Sequence, residues 1–134
     1  MHWVADNTSA ESKFVVVTSL EAFWVDAVSE WFPELSNREN LVLVQGSEWI
    51  PEGFSTKWLS YLQVQRCALA ESICLDDWSD SQNESFTHVY ISKYIPGRKP
   101  AQRGLYITLK NSDEFDLIYD TEDVAIFEIQ QVDE

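Results

Sequence analysis

Between Phe86 and Val132 apolar and polar residues alternate in short runs, a period of two that suits a half-buried strand and not a helix. In Phe86 to Ile95, Val89 and Ile91 share one face, and Phe86, His88, Tyr90 and Tyr94 share the other. Leu105, Ile107 and Leu109 alternate with Tyr106, Thr108 and Lys110; Phe115, Leu117 and Tyr119 interleave with Asp116, Ile118 and Asp120. In the last run, Val124 to Val132, Phe127 and Ile129 oppose Ile126 and Glu128. Short polar connections at Asn111 to Glu114 and Asp120 to Asp123 make a four-stranded antiparallel meander the economical topology.

Upstream the periodicity changes. Phe14 to Val17 and Leu41 to Gln45 are short apolar runs that read as buried strands. Thr18-Ser19-Leu20-Glu21 has the form of a capping box. After it, Leu20, Phe23, Trp24, Ala27, Val28 and Trp31 recur at helical spacing, which predicts a helix ending near Trp31, before Pro33, with its aromatic stripe in the core. A second helix is expected from Ser55 or Thr56 to about Cys74, with Tyr61, Val64, Cys67, Ala68 and Ala70 broadening its apolar surface. The fold class that results is α+β, with two helices packed on a mainly antiparallel sheet that ends in the C-terminal four-stranded meander. A chain of 134 residues suffices for one domain over 1–134, with residues 1–12 expected to be a mobile lead-in anchored at most by Trp3.

Cys67 and Cys74 both fall within the second expected helix. Seven helical residues separate them by roughly 10 Å, beyond the roughly 7 Å reach of a disulfide, so they are expected to be buried thiols. Neither a basic n-region with an apolar h-region nor an apolar run of membrane-spanning length is present, and cytoplasmic residence is the expectation.

The net charge is −14, from nine Lys and Arg against 23 Asp and Glu. Such a field repels nucleic acid, anionic lipid and anionic substrates, which argues against direct nucleic-acid or membrane binding. The charge is also segregated: residues 93–110 hold five bases and no acid, and residues 111–134 hold nine acids and no base. Meander geometry places Asp76, Asp77, Asp80 and Glu84 at the same end as Asp113 and Glu114. It places the basic loop with Arg98, Lys99 and Arg103 beside Asp120, Glu122 and Asp123, where local charge balance accounts for it.

No nucleophile elbow, P-loop, dinucleotide fingerprint, zinc-protease helix or CxxC pair is present, and no catalytic residue or cofactor is assigned. The carboxylates of Asp76 to Glu84 lack the glycine and glutamate register of a calcium loop. His88, on an aromatic strand, reads as structural. Trp49 and Trp78 fall in segments read as loops, flanked by acids in Ser47-Glu48-Trp49 and Asp76-Asp77-Trp78. An exposed Trp ringed by carboxylates suits Lys and Arg of a partner.

The expected function is that of a small acidic inhibitor, immunity or anti-defence protein. It would bind a basic nuclease or nucleoprotein complex, in part as a DNA mimic, through Asp76, Asp77, Trp78, Asp80, Glu84, Asp113, Glu114, Glu48 and Trp49. The alternative is a small enzyme or ligand-binding domain with a pocket between sheet and helices. A third reading, an acidic subunit of a larger assembly, rests on the apolar breadth of the second helix.

Overall fold

The computed structural model describes residues 1–44, Trp49, 53–93 and 104–130. Its elements are α1 (His2–Asn7), β1 (Lys13–Val17), α2 (Ala27–Ser36), β2 (Glu39–Asn40), α3 (Gly53–Arg66), α4 (Ile73–Gln82), β3 (His88–Ser92), α5 (Leu105–Lys110), β4 (Phe115–Asp120) and β5 (Val124–Ile129). Short 3-10 turns lie at Phe23–Val25 and Cys67–Leu69. The five strands form one mixed sheet in the order β2-β1-β3-β5-β4. β1 is parallel to both of its neighbours, and β5 is antiparallel to β3 and β4. The class is α+β.

β1 explains the layering. Its sequence Lys13-Phe14-Val15-Val16-Val17 does not alternate because both of its faces are covered. Phe14 and Val16 meet Val4 of α1, Phe32 of α2, Tyr90 and Ile126 on one side. Val15 and Val17 meet Val64 of α3, Leu75 and Trp78 of α4, Leu109 of α5, Val89 and Phe127 on the other. Helices therefore pack on both faces of the sheet.

Several expected elements differ, each for a local reason. The capping box at Thr18 does not start a helix, because the Thr18 hydroxyl donates to Asp26 Oδ2 at 2.6 Å. Asp26 is the cap instead: its Oδ1 accepts the Ser29 amide at 3.0 Å and α2 begins at Ala27. The shift in start turns the helix. Ser29, Phe32 and Ser36 face inward, and Trp24 and Trp31 of the expected core stripe are 66% and 54% exposed.

Pro33 lies inside α2 instead of ending it. Having no N–H, it leaves the Ser29 carbonyl four residues back without its helical donor. The buried Asn40 side chain supplies one, its Nδ2 donating to that carbonyl at 3.0 Å and to the Ser29 hydroxyl at 2.9 Å. Asn37, at φ 55°, then closes the helix.

Residues 105–110 form α5 and not a strand, so the antiparallel part of the sheet has three strands and the four-stranded meander is not formed. Leu105, Tyr106 and Leu109 are buried and Ile107 is 46% exposed, which is helical spacing that a six-residue window of alternating residues conceals. The lead-in also takes regular structure as α1: Val4 is fully buried, and Trp3 lies 4.7 Å from the Tyr119 ring. Arg38 holds this helix by donating to the Ala5 and Thr8 carbonyls at 3.0 and 2.6 Å.

The two cysteines are disulfide-bonded, not free thiols, with their Cα atoms 5.6 Å apart. One continuous helix does not run through them. α3 stops at Arg66, tightens into a 3-10 turn, and the chain reverses before α4 begins at Ile73. A bridge across so short a loop stabilises by about 2.5 kcal/mol on chain-entropy grounds. Urea unfolding of Cys67→Ser/Cys74→Ser is expected to show a loss of that order; an unchanged midpoint would contradict it. Asn40→Ala, which strips the Ser29 carbonyl of its donor in a buried place, is expected to cost about 1–3 kcal/mol by the same measurement.

Candidate functional site

The acidic residues come together at the end of the sheet where β3 and β4 begin. These strands are parallel to each other, since both run antiparallel to β5, so the chain segments entering them lie at the same end of the sheet, on either side of β5. A buried aromatic row fastens α4 there: the Trp78 ring lies 6.5 Å from Phe86, and Phe86 stacks 6.5 Å from Phe115 at the head of β4. With α4 fixed, Asp76, Asp77 and Asp80 are exposed, and Glu114 enters their field from the turn before β4. Burial, together with the charges of Glu114, Asp80 and Asp77, holds the Asp76 carboxyl above the ordinary carboxylate range.

All of the expected partner-binding residues except Glu48 lie among the described residues. Asp76, Asp77 and Asp80 lie on a helix, not in a loop, and Glu84 follows it, its carbonyl accepting the Ser79 hydroxyl. Asp113 is exposed next to Glu114. Trp78 is a correction. It is only 3% exposed, and its indole Nε1–H donates to the Ser60 hydroxyl at 2.8 Å, so it supports the acidic face from beneath and offers no ring to a partner. Its helix was hidden by the density of Asp and Ser in 76–81, residues poor in helix propensity. Trp49 is 90% exposed, and Glu48 lies outside the described residues.

Several of the described bases are engaged by other groups. Arg38 is bound to α1, and Arg66 lies 3.6 Å from Glu21. Lys93 is buried, donating from Nζ to Asp120 Oδ1 at 2.5 Å and to the Thr121 carbonyl at 2.7 Å. Burial raises the Asp120 pKa, but the bonds from Lys93 and Tyr106 outweigh it and the net direction is down. Arg98, Lys99 and Arg103 lie outside the described residues.

At the opposite end, the carboxyl ends of β1 and β3 gather polar groups in the place where α/β sheets often bind ligands. Here they bond to one another. Asp26 Oδ2 accepts from Tyr61 at 2.6 Å as well as from Thr18; Gln65 Oε1 accepts the Thr18 and Ser19 amides at 2.7 and 3.0 Å. Burial and Asp26 push the Tyr61 phenol upward. Every Asp26 oxygen has a donor, which is structural work. His88 is likewise structural: it stacks 4.7 Å from the Phe14 ring, and burial pulls its pKa down despite Glu128, leaving a neutral ring at the 3.7 Å contact. Among the described residues no group of three or more His, Cys, Asp or Glu could hold a metal ion, and no helix is long and apolar enough to cross a membrane.

The sequence reading missed a second surface, a groove of about 630 Å³ between α3 and α4. It follows from the chain reversal at the disulfide, which no periodicity signals. Comparison with known proteins finds no matching family model, curated protein or solved structure.

The folded chain keeps the Asp76 proton to a higher pH than the unfolded chain does. This group's contribution to stability therefore falls as pH rises from the ordinary carboxylate value through the raised one. A carboxyl-carbon NMR titration is expected to put the Asp76 midpoint above the ordinary value, and Glu114→Gln to lower it part of the way. An ordinary midpoint in the unsubstituted protein would mean that the carboxylates are not clustered.

Proposed function

We propose that this protein is a small acidic binding protein that captures and neutralises a basic protein, a nuclease or nucleoprotein complex, through the face formed by α4 and the head of β4. The observation that carries the reading is the gathering of Asp76, Asp77, Asp80 and Glu114, where the charges acting on Asp76 are all acidic and the one base sharing the groove with Asp77, Arg66, is paired with Glu21. Holding like charges together disfavours the isolated fold, and a cationic partner relieves that repulsion. Lys and Arg that normally hold phosphates would meet carboxylates instead, with long-range attraction speeding the encounter. In this sense the face is a partial mimic of a nucleic-acid backbone, suited to an inhibitor, immunity or anti-defence role.

Binding in this reading rests on charge presented by α4 and the head of β4. Disulfides persist in oxidising compartments. Action in the cytoplasm would therefore proceed with Cys67 and Cys74 as thiols.

The test is capture from the native host followed by kinetics with the purified partner. Association is expected to slow at least tenfold between low and moderate salt and on reversal of Asp76, Asp80 and Glu114 to Lys, and polyanions such as heparin are expected to compete. Binding that ignores salt and the reversals would overturn the reading.

A further inference from the structure

The groove between α3 and α4 borders the acidic face and shares a residue with it. Its lining sets the apolar Ala70, Ile73 and Trp78 beside two acids, Glu71 and Asp77, and one base, Arg66, which is paired with Glu21. Ile73 is 61% exposed and Leu69, in the turn that closes the groove, is 65% exposed, so apolar surface is left open beside a strongly charged one. Asp80, three residues on, is Asp77's neighbour on the surface of α4, whereas Asp76 lies toward Glu114.

The groove is preformed. At one end the Cys67–Cys74 bridge ties the last turn of the α3 segment to the first turn of α4. Farther along, the bond from Trp78 to Ser60 sets the spacing of the two helices. Behind the connecting turn, Gly104 sits at φ +54° against the Leu69 backbone, where a Cβ would come within 2.6 Å of the Leu69 carbonyl carbon. With the turn held from both sides, an incoming segment does not have to order it, and that saves binding free energy.

We infer that this groove is the docking site for a basic amphipathic helix of the protein partner, with apolar side chains entering between α3 and α4 and Lys or Arg meeting Asp77 and Asp80. The inference rests on the acidic-face reading and adds to it the shape of what is bound. Charge complementarity selects the occupant: an apolar seat with carboxylates along one rim fits a helix with apolar residues at i, i+3 or i+4 and i+7 and cationic residues beside them. An acidic or neutral amphipathic helix would leave Asp77 and its neighbours uncompensated.

A display library of random 12-residue peptides selected against the full, oxidised chain tests this, with counter-selection on an Ile73→Glu variant. Ile73 is exposed, so that variant keeps its core. Selected peptides are expected to be cationic with apolar residues at helical spacing. The best of them, synthesised, is expected to bind Ile73→Glu at least tenfold more weakly at moderate salt, and to weaken severalfold on Asp77→Asn/Asp80→Asn. Cationic peptides without apolar spacing, bound equally by the Ile73→Glu variant, would overturn the groove and leave the acidic face standing. Apolar uncharged peptides indifferent to Asp77→Asn/Asp80→Asn would overturn the basic helix as occupant. A failure to enrich anything over the Ile73→Glu counter-selection would remove the groove as a docking site.

Discussion

The two-sided burial of β1 is the constraint on which the other elements depend. A strand of Phe and Val with no polar face cannot lie at a water boundary, so helices must cover both of its sides and parallel strands must flank it. The chain then has to leave and return along the same direction, and each return needs a helix. α2 provides one crossover, and α3 with α4 the other. The polar price of ending β1 in the interior is met by Gln65, whose amide takes the Val16 carbonyl and the Thr18 and Ser19 amides together. Tyr61 and Asp26 extend the same junction to the start of α2.

What was legible in the sequence followed burial on one pattern. β1, β3, β4 and β5 were visible because apolar runs or clean alternation match how they are covered. The errors arose where two periodicities fit one short window. Residues 105–110 satisfy both alternation and a single helical face, and only the packing of Leu105 and Leu109 against the sheet decides. Trp24 and Trp31 form a convincing stripe, yet the helix is capped at Asp26, eight residues after Thr18, which leaves Trp24 before the helix and Trp31 on its exposed side. The acidic neighbours of Trp78 suggest an exposed ring, although a helix puts residues on either side of it on different faces.

The acidic face was legible for a reason that survives the error in the element before it. Whether 105–110 is a strand or a helix, β4 runs parallel to β3, so their entrances share an end. Charge order along the chain thus maps onto charge order in space. The groove lacked any comparable sign, since it arises from a reversal between two helices that local pattern had merged into one.

The Asn40 amide that serves the carbonyl freed by Pro33 couples the choice of residue at positions 33 and 40. With Pro33 replaced by an ordinary residue, the helix supplies its own donor and Asn40 is relieved of its main duty. With Pro33 kept, position 40 has almost no freedom. Divergent descendants of this chain should therefore change the two together, and the pair can identify kinship after the surrounding surface has become unrecognisable.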